Sequence, residues 1–205
     1  MFNRLQYIAA AYGPIASALD AGFGWIQLRC KQISPADHLA LALRVKRLCE
    51  KYAATLIVND AVAIALQSGA DGVHLGLEDG SIAAARAQLG ADKIIGGTAN
   101  TAAHLRQRMA EGCDYIGLGP FRFTVTKEKL SPVLGLEGYR HLLHQQAFPL
   151  PVYAIGGITP ADVPALREAG VYGVAVSGAV TQAPDKKNIL QQFNHALYGN
   201  FANSR

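Results

Sequence analysis

The chain is poor in cysteine, and spacing pairs none of the cysteines it has. Cys30, Cys49 and Cys113 are odd in number and form no C-x-x-C motif. That argues against a disulfide framework and for reduced thiols in a cytoplasmic protein. Aromatic residues make up only 8% of the chain, and no basic cluster is interleaved with them. A nucleic-acid surface of stacked rings and cations is therefore not expected. No apolar run approaches the roughly 18 residues of a membrane helix. Leu5 to Leu19, after Arg4, faintly mimics a secretory leader, but Gly13-Pro14 interrupts it and Gln6 sits inside it. Linkers, low-complexity tracts and composition shifts are also missing. What remains is a half-hydrophobic chain of 205 residues with a net charge of +4. One compact domain over residues 1–205 is expected, with a charge that suits small anionic substrates.

Short apolar runs alternate with amphipathic stretches. Strands are expected at Leu5–Ala9, Trp25–Arg29, Thr55–Val58, Gly72–Leu75, Lys93–Gly97, Tyr115–Leu118, Val152–Ile155 and Gly173–Val176. Helices are expected at Ile15–Ala21, Pro35–Tyr52, Val62–Gln67, Ile82–Leu89, Ala102–Ala110, Leu136–Gln145, Ala161–Glu168 and Asn188–Leu197. Ser34 before Pro35 and Thr159 before Pro160 read as N-caps. Gly22, Gly69, Gly112 and Gly170 each follow a helix as its stop and precede a strand. Strand–helix pairs of about 25 residues, repeated eight times, indicate a parallel sheet closed as a (β/α)8 TIM barrel. An open doubly wound sheet is the alternative, although it usually has fewer strands.

In such a barrel, chemistry gathers where strands end. Gln27, Arg29 and Lys31 alternate along the second strand and would form one inward cationic wall. Asn59-Asp60 ends the third strand, His74 the fourth with Glu78-Asp79 beyond, and Thr98 the fifth. Asp60 and Asp79 follow adjacent strands beside that wall, an arrangement suited to Mg2+. Each could instead cap the helix that follows it. His74 reads as a hydrogen-bonded structural histidine, while His38, His104, His141, His144 and His195 fall on helices and are expected to face solvent. After the sixth strand, Thr124, Thr126 and Lys127 form a T-x-T-K loop. Alone it reads as an anion cradle or as an exposed basic loop. Gly156-Gly157 and Ser177-Gly178 follow the last two strands, where barrels often hold a phosphate. No nucleophile–histidine–aspartate set stands out.

Taken together these segments resemble the thiamine phosphate synthase family. The resemblance rests on Gln27-Leu28-Arg29-Cys30-Lys31, Asn59-Asp60, Ala70 to Gly76 with Glu78-Asp79, Ile95 to Thr98, the G-P-x-x-x-T-x-T-K loop, and Ala154 to Ile158. It implies a (β/α)8 barrel that joins hydroxymethylpyrimidine diphosphate to hydroxyethylthiazole phosphate, giving thiamine phosphate and pyrophosphate. It further implies that Gln27, Arg29, Lys31, Asn59, Thr98 and Lys127 hold the pyrimidine diphosphate, with Arg29, Lys31 and Lys127 carrying catalysis. Asp60 and Asp79 would bind Mg2+. Thr124, Thr126, Gly157 and the turn at Ser177-Gly178 would hold the thiazole phosphate. The sequence departs from the family pattern at Cys30, Ala61, Phe121-Arg122-Phe123 and Ser177-Gly178. A thiazole tautomerase-like relative and a non-catalytic phosphate-ligand sensor are the alternatives. Oligomeric state stays open, a homo-oligomer included.

Overall fold

The computed structural model describes residues 2–123, 132–144 and 148–199. Among them eight parallel strands close into a barrel in chain order. These are β1 (Leu5–Ala9), β2 (Trp25–Leu28), β3 (Thr55–Asn59), β4 (Gly72–Leu75), β5 (Ile94–Ala99), β6 (Tyr115–Leu118), β7 (Val152–Ile155) and β8 (Gly173–Val176). The helices are α1 (Tyr12–Ala21), α2 (Pro35–Lys51), α3 (Val62–Ser68), α4 (Ile82–Leu89), α5 (Ala102–Ala110), α6 (Gly135–His144), α7 (Val163–Glu168), α8 (Gly178–Thr181) and α9 (Lys186–Tyr198). The TIM barrel expected from the alternation is the fold observed. The expected helix end at Gln145 lies outside the described residues.

Strand alternation sorts the apolar residues into two cores. Outward residues such as Ile26 and Leu28 pack with the helices in the larger cluster. Inward residues Trp25, Ile57, Tyr115 and Tyr153 form a separate plug. Trp25 stands edge-on to Tyr115 and Tyr153, with centroids 5.2 and 5.1 Å away, and Phe2 stacks on it at 5.5 Å. Such pairs contribute about 0.5–1.5 kcal/mol each beyond their area burial. Trp25 and Tyr115 open their strands, so the plug closes the N-terminal end of the barrel. Polar inward residues are left for the other end.

Local signals hold with few exceptions. Ser34 accepts from the Asp37 N–H, as an N-cap should. Thr159 and Asp162 form a capping box over a 3-10 turn (Pro160–Asp162) that leads into α7. The helix α8 was not foreseen, because four residues are too few to show a helical period. The expectation that all five helix histidines face solvent is corrected at two of them. His38 is buried, since it lines up with Ala42, Val45 and Cys49 on the inner stripe of α2. His104 is half-buried, while His141, His144 and His195 are exposed. Among the described residues no helix is long and apolar enough to cross a membrane.

The plug leaves no room beside it at Gly96. A Cβ there would sit 2.2 Å from Tyr115 Cζ and 2.5 Å from His74 Nδ1. Gly96→Ala should destabilise the protein by about 1–3 kcal/mol, the usual cost of overpacking. Urea denaturation measures this, and unchanged stability would show that the plug can move aside.

Candidate active site at the C-terminal rim

Above the plug the barrel opens into a cavity of about 210 Å³. Among the residues singled out from sequence, Gln27, Arg29, Asn59, Thr98, Gly156 and Ser177 line it. Lys31, Asp60, Asp79, Gly157 and Gly178 do not line it. Lys31 is exposed, three residues past the end of β2 at Leu28, and its charge acts on Asp60 instead. Thr124, Thr126 and Lys127 lie outside the described residues. Sequence reasoning overlooked Gln6, Tyr115 and Tyr153, which also line the cavity. A polar residue at the inward parity of β1, between Leu5 and Tyr7, was the available signal for Gln6.

The polar wall is held by short internal bonds. Gln27 Nε2 donates to Asn59 Oδ1 at 2.6 Å, joining β2 to β3. His74 has its Nδ1 3.1 Å from the Tyr115 hydroxyl and its Nε2 3.0 Å from Thr98 Oγ1. Engagement of both ring nitrogens agrees with a structural histidine, although the ring also lines the cavity. Behind this wall lies Arg108 of α5, only 1% exposed. Its guanidinium donates to the Thr98 carbonyl at 3.1 Å and to the Gly76 carbonyl at 2.8 Å, and pairs with Glu111 at 2.7 Å. A buried cation is tolerated because each of its three nitrogens has a partner and Glu111 balances its charge. It braces the ends of β4 and β5 from outside, and no sequence pattern marked it.

Asp60 and Asp79 come together on the rim. Asp60 has φ 63°, a left-handed conformation that aspartate and asparagine adopt more readily than most side chains. Its N–H donates to the His74 carbonyl at 2.8 Å. Asp79 Oδ2 accepts from the Gly76 N–H at 2.9 Å. A Cβ on Gly76 would lie 2.3 Å from that oxygen, so only glycine admits the carboxylate. Neither acid caps a helix. The N-cap of α3 is Ala61, and that of α4 is Ser81, which accepts from Ala84 N–H. Burial, then the hydrogen bond and charge of Asp79, push the Asp60 carboxyl up to about 6, against the lowering by Arg29 and Lys31. Two carboxylates this close favour a proton or a cation between them. Among the described residues no group of three or more His, Cys, Asp or Glu side chains could hold a metal. The pair still suits Mg2+, which keeps several waters and is often held by one or two carboxylates plus substrate phosphates.

The far side of the rim is pinned by Arg122. Gly156 and Gly157 have φ 97° and 68°. The Phe121 N–H donates to the Ile155 carbonyl at 2.8 Å, and the Arg122 N–H to the Gly156 carbonyl at 3.0 Å. Arg122 Nη1 reaches the Gly157 carbonyl at 2.8 Å and Asp162 Oδ2 at 2.6 Å, while Nη2 meets Asp162 Oδ1. Phe121 and Arg122, shortly after β6, are thus clipped across the turn after β7. Burial alone would raise the Asp162 carboxyl, but Arg122 and the Thr159 bonds outweigh it and hold it low. On the next strand, Ser177 is half-buried at the cavity and Gly178 opens α8.

Fold and rim define a class, that of (β/α)8 barrels with a side-chain-lined cavity at the C-terminal end. A family model described as thiamine monophosphate synthase matches residues 9–180. The chain belongs to the thiamine monophosphate synthase family. It is 51% identical to a thiamine-phosphate synthase of Flavobacterium johnsoniae, covering 98% of this chain and 99% of that one. It is 53% identical to a thiamine-phosphate synthase of Bacteroides fragilis, covering 82% and 84%. A solved thiamine phosphate pyrophosphorylase from Pyrococcus furiosus superposes with a TM-score of 0.82 at 29% identity, covering 95% of each chain.

The raised Asp60 carboxyl has a consequence for stability. Its folded value of about 6 lies above the ordinary 3.8, so the folded protein holds the proton more tightly. Stability should therefore fall as pH rises from about 4 to about 6, and this contribution should stay flat above that. Asp60→Asn, which keeps the left-handed turn, should lack the fall. Urea midpoints across pH for both proteins check it, and parallel curves would show that Asp60 is not perturbed.

Proposed function

We infer that this protein is a transferase that makes thiamine phosphate. It joins hydroxymethylpyrimidine diphosphate to hydroxyethylthiazole phosphate and releases pyrophosphate, with residues 1–205 working as one catalytic domain. The observation that carries the reading is the Asp60–Asp79 pair on the rim, close enough to Arg29 of the cavity wall for that charge to act on Asp60. That is what a reaction that expels diphosphate from a neutral heterocycle requires.

In the chemistry proposed, the bond from the pyrimidine methylene carbon to the diphosphate oxygen breaks and its electron pair leaves with the diphosphate. The aminopyrimidine ring, rich in electrons, spreads the charge left on the methylene. The thiazole nitrogen attacks that carbon with its lone pair. No proton need be removed in bond formation, and among the described residues that line the cavity there is no nucleophile–histidine–aspartate set. The protein's task is to align two substrates and neutralise a departing anion. Gln27, Asn59 and Thr98 orient the pyrimidine diphosphate, while Arg29, Lys31 and Lys127 receive the leaving charge. Thr124, Thr126, Gly156, Gly157, Ser177 and Gly178 hold the thiazole phosphate. Asp60 and Asp79 would hold Mg2+, which when bound supplies positive charge to the diphosphate.

Purified protein given both substrates and Mg2+ should release pyrophosphate in step with thiamine phosphate. A protein that binds both but yields neither product is a sensor and not a synthase. Arg29→Ala should stay folded and lose roughly 10²–10³ in turnover, the usual cost of one preorganised partner. A bulky residue at Gly157 should raise the KM for thiazole phosphate far more than that for the pyrimidine diphosphate. Equal rises would mean that the turn after β7 serves neither substrate in particular.

A further inference from the structure

Beneath the cavity four polar side chains run in single file from β1 to β5. Gln6, Tyr115, His74 and Thr98 are each at least nine-tenths buried. Gln6 Nε2 lies 3.3 Å from the Tyr115 hydroxyl. An amide nitrogen only donates, so the phenol oxygen accepts here. Tyr115 keeps one hydrogen, and His74 Nδ1 at 3.1 Å is the partner it has for it. Were Tyr115 to accept from both neighbours, its own hydrogen would be stranded in a fully buried place, which burial penalises. Burial also pushes the phenol well above its ordinary value, so it remains a proton donor.

The direction then propagates. If His74 Nδ1 accepts, the ring hydrogen of the neutral imidazole sits on Nε2. That N–H donates to Thr98 Oγ1 at 3.0 Å. Among the described residues no other hydrogen bond is made by Thr98 Oγ1, and Thr98 lines the cavity. Its hydroxyl hydrogen therefore faces the ligand. We propose that Gln6, Tyr115 and His74 form a one-way hydrogen-bond relay that fixes Thr98 as a donor to the cavity. The three are positioning residues, and what they set is specificity. A ligand must turn a lone pair toward Thr98, and one that turns an N–H or O–H there is refused. Chain and cavity carry the relay without reference to any substrate. Assigning the acceptor to the pyrimidine diphosphate rests on the proposed function. Within that molecule the acceptor is a diphosphate oxygen or a ring nitrogen.

The test begins with the tautomer. Full-length protein carrying 15N-imidazole histidine is examined near pH 8 by two-bond 1H–15N correlation, with His74 signals identified by their loss in His74→Gln. The expected result is a neutral His74 with its hydrogen on Nε2. A hydrogen on Nδ1, or on both nitrogens, overturns the relay whatever the kinetics. Tyr115→Phe then keeps the plug's ring but removes the hydroxyl. Its KM for the pyrimidine diphosphate should rise about tenfold, the scale of one hydrogen bond, with the thiazole phosphate KM changed less than about twofold. Equal rises in both, or none in either, would also overturn it. A matching loss of inhibition by inorganic diphosphate places the acceptor on the diphosphate, and unchanged inhibition places it on the pyrimidine ring; either supports the relay. If the wild-type protein turns over neither substrate, the functional reading fails while the tautomer still decides the relay.

Discussion

Two carboxylates held side by side are the constraint around which the rim is built. Like charges at this spacing repel, and a chain free to choose would separate Asp60 from Asp79. The fold prevents it. Asp60 is locked in a left-handed turn by its bond to the His74 carbonyl, and Asp79 is drawn in by the Gly76 N–H. Gly76 gives up its side chain to make room, and Arg108 grips its carbonyl from behind. Arg29 and Lys31 offset part of the negative charge, yet the Asp60 carboxyl stays raised. A site that keeps this repulsion while placing cations beside it is suited to a divalent ion and a polyanion together.

The barrel supplies the rest by dividing its interior into two ends. Rings from β2, β6 and β7 pack together at the N-terminal end as a filled core. Tyr115 belongs to both halves: its ring packs against Trp25 and its hydroxyl enters the polar file under the cavity. Packing in the plug therefore fixes the height and angle of groups that face ligand. The outer helices act on the site in the same indirect way. Arg108 reaches through from α5, and Arg122 ties two rim loops together through Asp162. Neither side chain lines the cavity.

Much of this was legible in the chain because the signals were local. Strand positions followed from short apolar runs entered after Gly22, Gly69, Gly112 and Gly170, and those glycines do take positive φ. Gln27, Arg29, Asn59 and Thr98 stood out because a polar residue at an inward strand end has little reason to be there unless it meets a ligand. What escaped notice depends on partners far away in the chain. Arg108 finds its carbonyl at Gly76, 32 positions earlier, and Gln6 finds Tyr115 at a separation of 109. His38 was misplaced because a histidine looks like a surface residue until the stripe of Ala42, Val45 and Cys49 is traced through it. Lys31 was placed inward by extending an alternation past the point where β2 stops.

The most direct test of the carboxylate pair is a cation titration that needs no turnover. Mn2+, a paramagnetic stand-in for Mg2+, is added to the full-length protein and the free ion followed by electron paramagnetic resonance, with and without inorganic diphosphate. The expected result is weak binding to the protein alone and binding at least about tenfold tighter with diphosphate, since the ion then bridges carboxylates and phosphate oxygens. Asp60→Asn and Asp79→Asn should each abolish the tighter phase. Mn2+ binding that ignores diphosphate, or that survives in both variants, would contradict the account and leave the two acids as rim residues with no ion to share.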